Sequence, residues 1–179
     1  MKITGPEIIT ELREKLQFNI GRHLYGVLGS YQQLDRFEQT DLGNANLPDG
    51  KPFPTTIILN QNLLASIGDE DLKKLVRDEA KRPQAVQRAL NNSLNSVLGT
   101  LMAESNLLIL KNLELIFAYD LDFSLFRTRA TDQNHLLLLL PGERRSDHIT
   151  IFHEANTRFH RSLPSNLIAD NHLWELIDG

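Results

Sequence analysis

The fold is decided by the stretch Leu107-Leu108-Ile109-Leu110-Lys111-Asn112, four apolar residues followed by an ammonium group and an amide. A continuous apolar run predicts a strand that helices cover on both faces, as in a parallel sheet. In α/β domains that hydrolyse nucleotides, an acid at such a strand end holds Mg²⁺, because a hard dication prefers oxygen ligands. Lys111 stands in that place here. The sequence therefore predicts the scaffold of a nucleotide hydrolase without its chemistry, which favours a binding component over an enzyme.

Apolar runs on either side predict the other strands of the sheet, at His23–Gly29, Thr55–Leu59, His135–Leu140 and Ile149–His153. Segments long enough for helices separate most of them, which predicts right-handed crossovers between parallel strands. Residues 141–148 are too few for a crossover helix, so the last strand is predicted to run antiparallel to the one before it. The predicted fold class is α/β, with helices on both faces of a mostly parallel sheet of about five strands.

Helices are predicted from caps and from apolar residues at spacings of three and four. Thr4 and Glu7 form a capping-box pattern that begins a first helix, which we expect to end near Gly21. Residues 69–104 predict two further helices, the second beginning at Pro83. Residues 39–54 are rich in Gly, Asn, Asp and Pro, and they predict a loop.

Composition limits the classes of function. The 179 residues suffice for one domain, predicted as an N-terminal helix at 1–20, a core at 23–155 and a tail at 156–179 that ends in a short packed element around Trp174. The chain has no cysteine, which excludes disulfides, thiolate metal sites and cysteine nucleophiles. No apolar run reaches the length of a membrane span and no signal-peptide stretch is present, so we expect a cytoplasmic protein without membrane contact.

One block of sequence resembles a known family. The block runs from Leu107 to Phe117, reads LLILKNLELIF, and is followed further on by LLLLLPG at Leu136–Gly142. Together with the strand exit at Ile57–Leu63, it resembles the small BrxF-like component, and also the BrxB-like component, of bacterial BREX (bacteriophage exclusion) defence systems. The likeness covers roughly residues 23–155. It implies a three-layer fold like that of P-loop nucleotide hydrolases, of the AAA-like kind, and a role in antiviral defence.

The chain departs from that family at the nucleotide site. Where the site is intact, the first strand leads into a glycine-rich loop ending in Gly-Lys-Ser/Thr, whose N–H groups and lysine hold the phosphates. Here the stretch from Gly29 reads GSYQQLDR and contains no Gly-Lys pair. Gly29, Ser30, Lys111 and Asn112 therefore mark a degenerate nucleotide site, at which we expect neither hydrolysis nor a cofactor.

Four other groups of residues are candidates for chemistry. His148, His153 and His160 with Glu154 have ligand chemistry for a metal, as do Asp120 and Asp122, but we interpret all six as surface or half-buried side chains, so that no metal is expected. Ser30, His23 and Asp35 have the residue types of a hydrolase triad without a Gly-x-Ser-x-Gly elbow. A basic series interleaved with aromatic residues has the chemistry to contact nucleic acid and consists of Arg127, Arg129, Arg144, Arg145, Arg158 and Arg161.

These observations lead to one functional hypothesis with two alternatives. The first is a non-catalytic adaptor in a multi-protein phage-defence complex, which binds other subunits, or a second copy of itself, through apolar patches on an exposed sheet edge or on leucine-rich helices. The second is a subunit of the same complex that contacts nucleic acid such as DNA. The third is a residual nucleotide-binding protein.

Overall fold

The computed structural model describes residues 1–18, 20–146, 148–164 and 167–177. The strands are β1 Lys2–Ile3, β2 Leu24–Gly29, β3 Ile57–Ile58, β4 Leu107–Lys111, β5 His135–Arg145, β6 His148–Ile151, β7 Arg161–Ser162 and β8 Leu173–Leu176. The helices are α1 Gly5–Lys15, α2 Tyr31–Arg36, α3 Leu59–Ile67, α4 Asp69–Asp78, α5 Pro83–Glu104, α6 Glu114–Ala118 and α7 Ser124–Arg129. A π-helical turn, Phe37–Leu42, continues α2, and 3-10 turns lie at Thr157–Phe159 and Asp170–His172.

Six strands form a parallel sheet in the order β1-β8-β2-β5-β4-β3. The predicted α/β class with a mostly parallel sheet between helices is confirmed. Beyond this sheet, β5 continues as a hairpin arm that pairs antiparallel with β6, with Gly142 opposite Ile151, and β6 pairs antiparallel with β7. The predicted antiparallel return is therefore also confirmed, although β5 extends five residues past the predicted end at Leu140.

The continuous apolar runs are explained by two apolar layers, one on each face of the sheet. Successive side chains of a strand point to opposite faces. Along β5, Leu136, Leu138 and Leu140 pack with α3, α5, α6 and α7, whereas Leu137 and Leu139 pack with α1 and α2. Each buried leucine contributes roughly 1.5–3 kcal/mol relative to an exposed one, so both faces of this strand stabilise the fold.

Local signals account for the first helices. The backbone N–H and the hydroxyl of Thr4 both donate to the carboxylate of Glu7, at 2.7 and 2.8 Å, so the predicted N-terminal box is present. The first helix ends at Lys15 rather than near Gly21. Residues 39–42, predicted as loop, are helical because α2 continues into the π-helical turn.

Two strands differ from the predictions. Only Ile57–Ile58 of the predicted second strand pairs with β4, since the chain turns into α3 at Leu59. The tail element predicted around Trp174 is β8, a parallel strand between β1 and β2. Among the described residues, no helix has the length and apolar character needed to cross a lipid bilayer.

We expect Trp174→Ala to destabilise the protein by about 3–5 kcal/mol, because its fully buried ring packs against Tyr25 with ring centroids 5.9 Å apart. Urea unfolding provides the measurement. The control is Ile177→Ala, which changes an exposed side chain one residue after the end of β8 and should cost less than about 0.5 kcal/mol. Equal costs for the two variants would mean that β8 is not part of the core.

Candidate functional site

The degenerate nucleotide site lies at the carboxyl edge of the sheet, where ligands bind in open α/β folds. The ends of β2, β4 and β5 meet there, with Gly29 opposite Pro141 on the neighbouring strand. A cleft of about 180 Å³ opens at this edge. Its lining consists of Tyr31, Leu34, Asp35, Glu38, Lys111, Asn112, Glu114, Leu139 and Pro141. The structure thus brings Lys111 and Asn112 into one cleft, with Gly29 and Ser30 at its border.

A single residue joins β2 to α2, which leaves no room for a phosphate-binding loop. The strand ends at Gly29 and the helix begins at Tyr31, with Ser30 as the N-cap between them. The Ser30 hydroxyl accepts from the Gln33 N–H at 3.1 Å, and the Gln33 side-chain oxygen accepts from the Ser30 N–H at 2.9 Å. Because this reciprocal cap uses backbone donors at the helix start, those donors are not directed at a ligand.

A carboxylate of the same chain lies at the first N–H of α2. The Tyr31 N–H donates to Oε2 of Glu154 at 2.7 Å, from the turn that follows β6. Helix starts bind anions because their N–H groups point outward and the helix dipole is positive there. Burial, together with the nearby Glu114 and Glu154 carboxylates, raises the pKa of the Tyr31 hydroxyl. Glu154 therefore occupies a position that a phosphate oxygen would need.

The ammonium group at the end of β4 is neutralised within the chain. Nζ of Lys111 lies 2.6 Å from Oε2 of Glu38, which belongs to the π-helical turn after α2. Both side chains are partly buried, at 27% and 22% exposure, so solvent screens this ion pair less than a surface pair. The position at which an acid would hold Mg²⁺ thus carries a closed ion pair.

The turn after β4 is held by Asn60, at the start of α3. Asn112 adopts a positive φ of 55°, and its carbonyl accepts from the Asn60 N–H at 3.2 Å. The Asn60 side chain donates to Glu114 at 2.6 Å and accepts from the Leu115 N–H at 3.2 Å. These contacts fix the β4–α6 turn and present Glu114 to the cleft.

Glu38, Asn60 and Glu154 belong to this site, although the sequence patterns assigned none of them to it. Asn60 directly follows a predicted strand, which was a usable signal. Glu38 and Glu154 carried no local signal, because their partners lie 73 and 123 residues away along the chain. Asp35, Glu38 and Glu114 line the cleft with Lys111, and Glu154 lies at the Tyr31 N–H, so the carboxylates outnumber the ammonium group and their field repels phosphate.

The other candidate sites do not assemble. Ser30 and His23 stand at opposite ends of β2, roughly 20 Å apart at the usual rise per residue, so no hydrolase triad forms. His148 is exposed, and the ring of His160 bonds the Ala155 carbonyl at 3.0 Å. In the part of the chain that the structure describes, no group of three or more His, Asp or Glu side chains could hold a metal ion.

The six arginines of the basic series are divided between the two ends of β5. Arg127 and Arg129 lie on α7, which precedes the amino end of β5. Arg144 and Arg145 lie at the carboxyl end of β5, roughly 30 Å away for a strand of this length. Arg158 and Arg161 lie beside β7, which pairs with the same hairpin arm. They therefore do not form one continuous basic surface.

Most of these guanidinium groups are already bound within the chain. Arg144 pairs with Asp170 at 3.2 Å, and Arg145 with Glu143 at 2.6 Å. The Arg129 side chain donates to the Asn95 side-chain oxygen at 2.8 Å, and Arg161 donates to two backbone carbonyls. Arg158 lies over the Phe159 ring, 4.5 Å from its centroid. Arg127 differs from the others in having no such partner among the described residues.

A buried polar cluster lies at the opposite, amino edge of the sheet. The Tyr25 hydroxyl is 3.0 Å from Nδ1 of His23 and 3.4 Å from Nδ1 of His135, and the two imidazoles stack with centroids 4.2 Å apart. One hydroxyl proton serves only one nitrogen, so the two imidazoles take different tautomers. Burial, reinforced by the neighbouring His23, lowers the pKa of His135 to about 4, and burial also lowers the pKa of His23.

Comparison with protein-family models, with curated proteins and with solved structures gives no match. The two sheet edges differ in chemistry. The carboxyl edge offers a cleft filled by the chain's own ion pair and carboxylates. The amino edge has buried neutral imidazoles, whose contribution to the free energy of unfolding depends on pH.

We expect the protein to lose stability as pH falls from about 6.5 towards 4. The folded-state pKa of His135, about 4, lies below the unfolded value, so the fold favours the neutral ring. This contribution is complete above the unfolded pKa, and up to about 3 kcal/mol of it is lost on acidification. Urea unfolding at pH 7, 6 and 5 should show a weaker pH dependence for His135→Gln than for the parent. The control His148→Gln changes an exposed ring and should keep the parental dependence; an unchanged dependence in His135→Gln would contradict the assignment.

We expect a double-mutant cycle with Lys111→Met and Glu38→Gln to give a coupling energy of about 1–2 kcal/mol, because the pair is short and partly buried. Unfolding free energies of the parent, the two single variants and the double variant supply the cycle. The matched control is the pair Lys73–Glu70 at 2.8 Å on α4, which is exposed and should couple by less than about 0.5 kcal/mol. Coupling energies of the same size in both cycles would count against a neutralised pair in the cleft.

Proposed function

We propose that this protein is a non-catalytic adaptor subunit of a bacterial anti-phage complex, built on a P-loop-like domain that has lost its nucleotide site. One observation carries the proposal: both positions that would hold a nucleotide are occupied by charged groups of the chain itself. Glu154 binds the first N–H of α2, and Glu38 binds Lys111 at the end of β4. An anionic ligand would have to displace both interactions.

The strand order supports a P-loop-like origin. In the order β8-β2-β5-β4-β3, β5 lies between the strand that would lead into a phosphate loop and the strand that would end in the magnesium-binding acid. An inserted strand at that place is typical of AAA-like P-loop domains, the kind that the resemblance in the sequence implies. The two degenerate positions then fall at the edge where that fold binds its nucleotide.

Electrostatics argue against a residual nucleotide-binding role. Phosphoryl transfer depends on a lysine, backbone N–H groups and Mg²⁺ to offset the charge of the phosphates. Here Asp35, Glu38 and Glu114 line the cleft together with Lys111, and Glu154 lies at the Tyr31 N–H. A triphosphate entering this cleft would meet like charges at short range, and it would have to displace Glu154 from the Tyr31 N–H.

The adaptor role is supported by apolar side chains of α3 and α4 that are exposed to solvent. The leucine-rich helix α5 turns Leu90, Leu94 and Leu98 into the core, so it does not offer the expected binding surface. The neighbouring helices offer apolar side chains to a partner. Val76 on α4 is 64% exposed, and Leu64 on α3 is also exposed. No residue of α4 is fully buried, which leaves this helix available for contact with another subunit.

A thermal-shift titration tests the loss of the nucleotide site. We expect ATP and GTP at millimolar concentration, with or without Mg²⁺, to leave Tm unchanged. A ligand present at a hundred times its Kd would stabilise the fold by about 2.7 kcal/mol and raise Tm by roughly 5–10 °C. A rise of that kind would overturn the proposal. An oligonucleotide-free preparation provides the baseline, so that no bound anion masks the response.

Co-purification from cells that carry the complete defence operon tests the adaptor role. We expect a stoichiometric complex that persists in EDTA and at high salt, because apolar contacts resist screening. Leu64→Glu and Val76→Glu should weaken it without lowering Tm, whereas Lys73→Gln, on the exposed face of the same α4, should not. A complex that forms only with nucleotide, or equal recovery of all three variants, would contradict the proposed surface.

A further inference from the structure

An open cleft lies at the amino edge of the sheet. Its volume is about 780 Å³, and it lies between the segment that enters β2 and the segment that joins α7 to β5. Its polar lining consists of Arg22, Ser124, Arg127, Thr128, Thr131 and Asp132. The two segments are tied together where the Gly21 N–H donates to Oδ1 of Asp132 at 2.9 Å. This bond holds Arg22 at the mouth of the cleft that Arg127 lines.

The two arginines of this cleft are chemically available. Neither the Arg22 side chain nor the Arg127 side chain has a hydrogen bond or an ion pair with any residue that the structure describes. The residue Arg127 is half-buried, and Arg22 is exposed. A planar fork of N–H donors that is weakly hydrated matches phosphate oxygens in geometry and charge. The lining contains these two arginines and one acidic residue, Asp132, so its net charge is positive.

One hydroxyl in the cleft is free to act as a donor. Thr128 donates to the Ser124 carbonyl and Ser124 donates to Asp122, each at 2.8 Å. Thr131 instead accepts from the Asn134 amide at 3.3 Å, which leaves its hydroxyl hydrogen for another acceptor. Two guanidinium groups and a hydroxyl donor form a set that suits phosphate oxygens.

Exposed apolar side chains precede Arg22 along the chain. Phe18 is 65% exposed and Ile20 is 89% exposed, and they stand four and two residues before Arg22 in the sequence. Arg13 and Lys15 add positive charge in the last turn of α1, just before this segment. Surfaces that bind single strands combine two features. Cations contact the phosphates, and an aromatic ring provides a surface on which a base stacks. A duplex offers phosphates but no unstacked bases to such a ring.

We propose that this cleft binds the phosphodiester backbone of a single-stranded nucleic acid, with Arg22 and Arg127 on phosphates, Thr131 donating to a phosphate oxygen and Phe18 stacking on a base. The site lies at the opposite edge of the sheet from the degenerate nucleotide cleft. It is independent of the adaptor surface on α3 and α4, so either proposal can fail alone.

Fluorescence anisotropy with labelled 12-nucleotide oligo-dT and oligo-U tests the proposal. We expect both to bind at low salt, and Arg22→Ala with Arg127→Ala to weaken binding at least tenfold. The salt dependence of log K should become shallower by about 0.7 for each phosphate contact removed. Phe18→Ala should weaken binding at least fivefold without changing that slope.

The matched control is the double variant Arg144→Ala with Arg145→Ala, which removes the same charge from paired arginines at the other end of β5. It should bind within twofold of the parent, and urea unfolding should show all variants folded. Equal losses in the two double variants would mean non-specific attraction and overturn the proposal. So would binding of duplex as tight as binding of single strands, a response to inorganic phosphate or pyrophosphate without one to the oligonucleotides, or no binding of either oligonucleotide by the parent.

Discussion

The arrangement of the molecule depends on one strand that is buried on both faces. Leu136–Leu140 of β5 alternate between two apolar layers, and every one of these side chains is buried. A one-residue slip of this strand would exchange the side chains of the two layers, so its register is strongly determined. Because β2 and β4 pair with β5 on either side, the same register sets where their ends lie at both sheet edges.

At the carboxyl edge, polar groups of the chain itself satisfy the helix start and the strand end. The start of α2 has backbone N–H groups without partners in the helix, and β4 ends in the ammonium group of Lys111. Buried polar groups of this kind need hydrogen-bond or charge partners. This chain supplies them internally, through the Ser30–Gln33 cap, the Glu154 carboxylate and the Lys111–Glu38 pair. The interactions come from three separate parts of the sequence and converge on one small volume. The result is a closed, acidic surface on a scaffold whose cleft would otherwise attract anions.

The features that sequence could predict are those with a local signal. The apolar runs located β2, β4 and β5, the Thr4–Glu7 pattern located the first helix, and the short 141–148 connection implied an antiparallel return. Periodicity reports whether an element is buried, but it does not identify the partner. That is why the four residues of β8 were not recognised as a strand: both of their neighbours come from the beginning of the chain.

The candidate site followed the same rule. Lys111 and Ser30 were identifiable because each stands directly after an apolar run. Glu38 and Glu154 were not, because a charged residue in a turn has no pattern that indicates a distant lysine or amide. The six arginines do not form one surface for a related reason. They lie close together in the sequence, between residues 127 and 161, but β5 separates them in space. Tertiary placement, rather than residue type, decided these outcomes.

The pairing of β1 with β8 has a consequence for how the protein is made. Lys2 lies opposite Glu175, so β1 pairs with a strand that is synthesised long after it. Until β8 emerges, the exposed side of β2 has no neighbour and the Tyr25 side of the sheet lacks the ring of Trp174. Such a nascent chain presents an unpaired strand edge, which is the kind of surface that chaperones protect. Completion of this sheet therefore waits for the synthesis of β8.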